Sequence, residues 1–220
     1  MANQKIINLL KKYNIDTTNT ELFDIAFTHV SYRNAHNLAY DYEKLEFLGD
    51  AIINKVVSEY LYVSKKDSSV GELSKTRALI TQGKTEAIAA KAIGLEEIIN
   101  FTGDKTKIVD SVMEDVYEAF IGAVYLACGE NKAKEIINSS LIDIFNKNRN
   151  EITDDYKTKL QELVYKVFKA FPTYKTVKQP NNEYLAKLYI NKKLYSTGSD
   201  KKIKDAEQKA AKDCYKELNV

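Results

Sequence analysis

The chain has 220 residues, 44% hydrophobic and 29% charged, which excludes a disordered or fibrous polymer and allows one large domain or two smaller ones. Its net charge of +2 hides a segregation: residues 1–150 carry 18 Lys+Arg against 21 Asp+Glu, and residues 151–220 carry 15 lysines against 10 acids. A basic segment beside a larger acidic one points to a binder of nucleic acid, or of another anionic surface, attached to something else.

The opening stretch, MANQKIINLLKKYN, is amphipathic with Asn8 inside its apolar run, so it is not a signal peptide. Helix periodicity begins at Ile6, Ile7, Leu9 and Leu10 and returns over Glu21–Asn34, with Leu22, Ile25, Ala26 and His29 on one side. His29 reads there as a packing or hydrogen-bonding residue. Tyr42–Val63 is the strongest helix, with Leu45, Leu48, Ile52 and Val56 as its stripe, widened by Phe47, Ala51, Ile53 and Val57. After the polar loop KKDSSVGE, helices are expected at about Leu73–Gly94, Ser111–Ala127 and Lys132–Asn146, with FTGDKTK as a loop and Gly129 as a C-cap. No strand pattern occurs in this half.

Composition turns polar at Asn146–Thr153, which is read as a linker between domains at 1–148 and 154–220. A helix over Asp154–Phe171 follows, with an acidic start at Asp154 and Asp155, a stripe of Leu160, Val164, Val167 and Phe171, and Pro172 as its stop. Thr173–Lys178, Tyr184–Ile190 and Lys193–Thr197 read as strands, the last two joined by a tight turn at Asn191–Lys192. Ile203–Leu218 closes the chain as a helix with Ala206, Ala210, Cys214 and Leu218 on one face. The fold class is thus an all-α domain followed by a small α+β domain of order α-β-β-β-α. Cys128 and Cys214 form no C-x-x-C pair, and the longest apolar run, around Ala119–Cys128, is too short to span a bilayer. A soluble, cytoplasmic protein is expected.

Two helices carry acids where a core face should be. Glu43, Glu46 and Asp50 lie at i, i+3, i+7 of the first; Glu114, Asp115 and Glu118 interrupt the apolar surface of the second. Spacing does not decide whether Glu114 or Asp115 shares a face with Glu118. Each helix also has a glycine near its acids, Gly49 and Gly122, although a helical glycine costs about 1 kcal/mol relative to alanine. The pairing points to backbones that approach closely and bring the carboxylates together. An all-oxygen set suits Mg²⁺ or Mn²⁺ rather than zinc, and a di-iron bundle would need Glu-x-x-His pairs that His29 and His36 do not form. Two such ions about 4 Å apart can drive hydrolysis of a phosphodiester. The plainer alternative is a solvated acidic edge on each helix.

The block Tyr42–Ala51, YEKLEFLGDA, resembles the signature of the ribonuclease III family of double-stranded-RNA endonucleases. FTHVSY at Phe27–Tyr32, GELSKTRALI at Gly71–Ile80 and DVYEAFIGAVYL at Asp115–Leu126 resemble further family blocks in the same order. DYKTKLQE at Asp155–Glu162 and DAEQKAA at Asp205–Ala211 resemble the double-stranded-RNA-binding domain of bacterial members. The resemblance implies that Glu46, Asp50, Asp115 and Glu118 hold catalytic Mg²⁺, with Asp50 and Glu118 central to the chemistry, while Glu114 falls where the family often has alanine. It implies a supporting role at the cleft for Glu43. Phe47 becomes a contact to a second subunit in a homodimer whose two sites cut opposite strands. The products would carry a 5′-phosphate and a short 3′ overhang, in rRNA and mRNA maturation. The other reading is a non-catalytic duplex-RNA-binding protein with a vestigial nuclease domain.

For the second domain the resemblance implies minor-groove contacts from Thr158, Gln161 and Glu162 and phosphate contacts from Lys201, Lys202 and Lys204. Those lysines oppose the dipole at the start of the last helix, a penalty that a backbone phosphate would reverse. Three departures stand out, one of them Ile203 where the first lysine of the usual Lys-Lys pair before A-E-Q belongs. The acid that usually precedes the glycine of the G-x-L-S block is Val70 here, with Asp67 nearby in sequence. The loop that usually carries Gly-Pro and histidine reads Gln179-Pro180-Asn181-Asn182-Glu183.

Overall fold

The structure, a computed structural model, describes residues 4–104, 108–152 and 155–218. The expected loop at 105–107, Thr153 of the expected linker and Asp154 as a helix start lie outside the described residues. The chain divides into two compact units, Met1–Lys147 and Asn148–Val220.

In the first unit the helices are α1 (Gln4–Lys12), α2 (Glu21–Ala26), α3 (Val30–His36), α4 (Glu43–Ser64), α5 (Val70–Ile80), α6 (Gly83–Ala92), α7 (Asp110–Cys128) and α8 (Glu130–Ile137), while α9 (Asp143–Ile152) begins in it and crosses the boundary at a kink on Asn148. Helix α7 is its axis. Val116 to Val124 is buried without a gap, because other helices cover this stretch all round. The Phe120 ring lies among Tyr13, Phe23 and Phe27, with centroids 5.9–6.3 Å apart. One polar pair in this core is satisfied: Ser140 donates to the Ile136 carbonyl at 2.6 Å, which leaves its oxygen to accept from the buried Tyr117 hydroxyl at 2.7 Å.

Three expected helices are broken, each for a local reason. The Glu21–Asn34 helix splits at Phe27–His29, where Thr28 forms a parallel β-bridge with Asn100 and His29 turns extended. His29 therefore caps α3, its Nδ1 accepting from the Ser31 N–H at 3.0 Å, and does not sit on a helix face. The Leu73–Gly94 helix begins earlier, behind a Ser69–Glu72 capping box, and breaks at an extended Gln82 before resuming as α6. The last stretch is α8 and α9 joined by a π-turn over Asn138–Ile142. The expected linker is helical as far as Ile152, with the break confined to Asn148.

The second unit packs α10 (Tyr156–Phe168) and α11 (Ile203–Leu218) on an antiparallel sheet of order β1-β2-β3, with β1 Thr173–Lys178, β2 Tyr184–Ile190 and β3 Lys193–Asp200. Leu160, Val164, Ala186, Leu188, Ile190, Ala206, Ala210, Ala211 and Cys214 form its core. Asn191 and Lys192 both take positive φ, 49° and 67°, the twist that a two-residue hairpin requires. Strand β3 runs three residues beyond the expected end. Helix α10 stops before Pro172, at a left-handed Lys169, so Phe168 and not Val167 or Phe171 reaches the core.

Candidate active site and duplex-binding surface

Helices α4 and α7 cross at their glycines. A Cβ on Gly49 would land on the Glu118 carbonyl, 2.5 Å from its carbon, and one on Gly122 would land on the Leu45 carbonyl. The close approach read from the two glycines is present, and it sets the acids of α4 opposite those of α7. Phe47 and Ala51, counted in the apolar stripe, instead face outward, and Phe47 is 81% exposed.

The carboxylates press on one another across this crossing. Burial, then Asp115 and Glu43, push the Glu46 carboxyl up to about 7. Burial also pushes Asp115 up, partly offset by the Tyr42 hydroxyl, which donates to Asp115 Oδ2 at 3.0 Å. Asp50 is exposed at the edge and is held by Asn54 Nδ2 at 2.7 Å. Glu118 is buried; burial raises its pKa, a hydrogen bond from the Glu86 carboxyl lowers it, and the charges of Asp50, Glu114 and Glu46 raise it further. Glu43 is exposed at the start of α4. Val70 is 79% exposed at the start of α5, and Glu72 is engaged by the Ser69 cap.

Sequence reasoning missed two participants. Tyr42 is buried next to α4, and burial and Asp115 push its phenol up, keeping it a donor. Glu86, on α6, is 1% exposed, and Glu86, Glu114 and Glu118 offer oxygens all within 4.8 Å of one another. Glu114 thus has a place of its own beside Glu118, and Asp115 faces Tyr42. Among the described residues, the groups of this cluster offer only oxygen donors, which suits hard divalent cations. Such a cation would also neutralise acids that otherwise repel one another in a partly dry site.

In the second unit, Thr158, Gln161 and Glu162 are exposed along α10, and Lys201, Lys202 and Lys204 are exposed at the start of α11. The two helix starts adjoin. Asp155 caps α10, and its Oδ1 accepts from the Thr158 N–H at 3.2 Å and from Gln208 Nε2 of α11 at 3.0 Å. Burial raises the Asp155 carboxyl, but the bonds from Gln208 and Thr158 outweigh it and hold it below its ordinary range. Gly198 lets α11 sit against β3, since a Cβ there would meet the Ala206 carbonyl and the Ala210 nitrogen. The departing loop is closed on itself, with the Gln179 N–H donating to the Glu183 carbonyl at 2.7 Å and Asn181 Nδ2 donating to Glu183 at 3.0 Å.

The chain thus joins a helical unit with a carboxylate-lined crossing to an α-β-β-β-α unit with a lysine cluster. Residues 19–144 match the Ribonuclease-III-like family, and residues 156–218 match the double-stranded RNA binding motif. Ribonuclease 3 of Ureaplasma parvum is 32% identical over 230 residues, covering 100% of this chain and 98% of its own. Ribonuclease 3 of Clostridium tetani is 36% identical, covering 97% of this chain and 94% of its own. Ribonuclease 3 of Mycoplasmoides gallisepticum is 39% identical over 93% of this chain, which spans 32% of that longer protein. The nuclease domain of ribonuclease III from Campylobacter jejuni superposes with a TM-score of 0.58 at 32% identity, covering 64% of this chain and 99% of that one. The chain belongs to the ribonuclease III family. None of its helices, among the described residues, is long and apolar enough to cross a membrane.

Proposed function

We propose that this protein is a Mg²⁺-dependent endoribonuclease that hydrolyses double-stranded RNA by a two-metal-ion mechanism, in cytoplasmic rRNA and mRNA maturation. The observation that carries this reading is the glycine-mediated crossing of α4 and α7, which sets Glu46 and Asp50 against Asp115 and Glu118 in a chain that also carries a duplex-RNA-binding motif. Held by these four residues, Mg²⁺ or Mn²⁺ would supply Lewis acidity at the phosphodiester and activate the attacking water. The chain's own groups prepare that site. The Tyr42 hydroxyl orients Asp115, Asn54 orients Asp50, and Glu43 adds negative charge at the mouth. Glu46, with its carboxyl near 7, gives up a proton as the site is loaded.

Thr158, Gln161 and Glu162 would read the minor groove, and Lys201, Lys202 and Lys204 the phosphates, as shape recognition of an A-form duplex requires. A basic module beside an acidic one raises the local concentration of a polyanion that the acidic unit alone would repel. Phe47 projects from α4, and an exposed phenylalanine next to the site is the contact a homodimer would bury. Two such sites would cut opposite strands, leaving 5′-phosphates and short 3′ overhangs. The test is Glu118→Gln with a perfect RNA duplex and Mg²⁺. Cleavage is lost and duplex binding retained; a variant that turns over undiminished refutes the assignment. Wild-type protein that binds but never cuts would instead make this a duplex-RNA-binding scaffold.

A further inference from the structure

Glu86 is a buried glutamate that the proposed mechanism does not use. It is 1% exposed, no N–H or hydroxyl reaches either of its oxygens, and the one group within hydrogen-bonding reach is the Glu118 carboxyl. The charges that press on it most are carboxylates, Glu118 and then Glu114 and Asp50. Ionised carboxylates only accept, so Glu86 and Glu118 satisfy each other only through a shared proton or a shared cation. A buried, unpaired carboxylate is among the costliest groups a core can hold, and it persists where a proton or a cation neutralises it.

The geometry also accommodates a cation. Glu86, Glu114 and Glu118 each offer an oxygen within 4.8 Å of the others. Two oxygens on opposite sides of a divalent ion at about 2.4 Å are themselves about 4.8 Å apart, so the three can share one ion of the Mg²⁺–Mn²⁺–Ca²⁺ class with little movement. The local backbone makes room for this arrangement. Helix α6 restarts at Gly83 after the extended Gln82, and the Glu114 carboxylate lies against Gly83, where a Cβ would overlap it. One turn further along α6, Glu86 reaches the same point from inside the unit.

We propose that Glu86, Glu114 and Glu118 form an inner divalent-cation position, adjacent to the proposed catalytic ions and sharing Glu118 with them. Glu86 and Glu114 have no role in the resemblance from which the catalytic set was drawn. The inner position therefore rests on the catalytic reading only through Glu118. Its occupant would neutralise the three carboxylates and fix Glu118 from behind. By chemistry it accepts hard cations; with neither histidine nor cysteine among its three ligands it has no preference for zinc.

The probe is Mn²⁺ alone, titrated into full-length, chelator-stripped protein while free Mn²⁺ is followed by electron paramagnetic resonance, with the melting midpoint recorded in parallel. Glu86→Gln and Glu114→Ala should each lose one bound Mn²⁺ per chain, or weaken that site by about tenfold or more. Part of the Mn²⁺-dependent rise in midpoint should vanish with it. Glu46→Gln should keep the inner site. Glu114 is only half-buried, so its variant reports even where Glu86→Gln folds poorly. Wild-type Mn²⁺ stoichiometry and affinity in both variants overturn the proposal and leave a shared proton as the neutralising group. Duplex cleavage by the wild type separates this result from the catalytic reading: cleavage with an unchanged Mn²⁺ count sinks the inner position alone. A lost Mn²⁺ site in the variants of a protein that never cleaves supports the inner position and sinks the catalytic reading.

Discussion

Replacing Gly49 by alanine tests whether the helix crossing builds the site. In an isolated helix the change would stabilise by about 1 kcal/mol. Here the new methyl would lie 2.5 Å from the Glu118 carbonyl carbon and 3.0 Å from its Cα, with the carbonyl oxygen closer still. Restoring ordinary contact requires α4 and α7 to part by about 1 Å, an overpacking strain worth about 3 kcal/mol against backbone that cannot swing aside. The net expectation is a loss of about 2 kcal/mol, or about 4–8 °C in melting midpoint for a unit of this size. The same displacement moves Glu118, so cleavage should fall about 100-fold at saturating Mg²⁺, as misplacement of a reacting group by about 1 Å does. Urea unfolding and single-turnover cleavage of a short duplex read the two effects. A variant that melts at or above the wild type and cleaves normally would refute the account of the crossing.

Three further outcomes follow from the same geometry. Glu46 has its carboxyl raised from 4.5 to about 7. Metal-free folded protein therefore keeps that proton while the unfolded chain loses it, so this stabilising contribution is whole below pH 4.5, declines as pH rises and is gone above about 7. Glu46→Gln should thus make the metal-free protein about 1–2 kcal/mol more stable at pH 8, after allowance for solvent screening, and leave it unchanged at pH 4; equal urea midpoints at pH 8 would count against it. Phe47→Ala should weaken a homodimer about 100-fold or more, since each symmetric copy of a buried phenylalanine contributes about 1.5–3 kcal/mol; sedimentation velocity showing an unchanged dimer would exclude Phe47 from the interface. Substituting Lys201, Lys202 and Lys204 together by alanine should flatten the dependence of duplex affinity on log salt by about two to three units, and an unaltered slope would remove the cluster from the phosphate contacts.

What could be read from the chain depended on where a signal is stored. The acids of α4 and α7, their glycines and the hairpin at Asn191–Lys192 are local patterns, and each lies where periodicity or turn chemistry put it. Boundaries set by caps and local backbone turns were harder. Nothing in the apolar spacing marks His29 as a cap or Gln82 as a break, and the left-handed Lys169 ends α10 before the stripe through Val167 and Phe171 can form. Phe47 is apolar by type and outward by position, so periodicity counted it as core. The Tyr42–Asp115 bond joins residues 73 apart and has no local trace.

Glu86 is the instructive miss. In GKTEAIAAKA a lone glutamate at the start of an alanine-rich helix looks like a solvated charge favoured by the dipole. Yet its neighbours Thr85, Ala87, Ala89 and Ala90 are all buried, and all are small. Small residues on a helix allow a close neighbour, and α6 does pack against α7. Once the backbones are that near, the longer glutamate has no path to water and must end against whatever α7 presents, which is Glu118 and Glu114. An acid embedded in a run of alanine and threonine is therefore better read as a group drawn into a tight helix contact than as surface charge. The same logic holds for Glu118 beside Gly122: in both helices, the residues that remove bulk make room for the acids that bring charge.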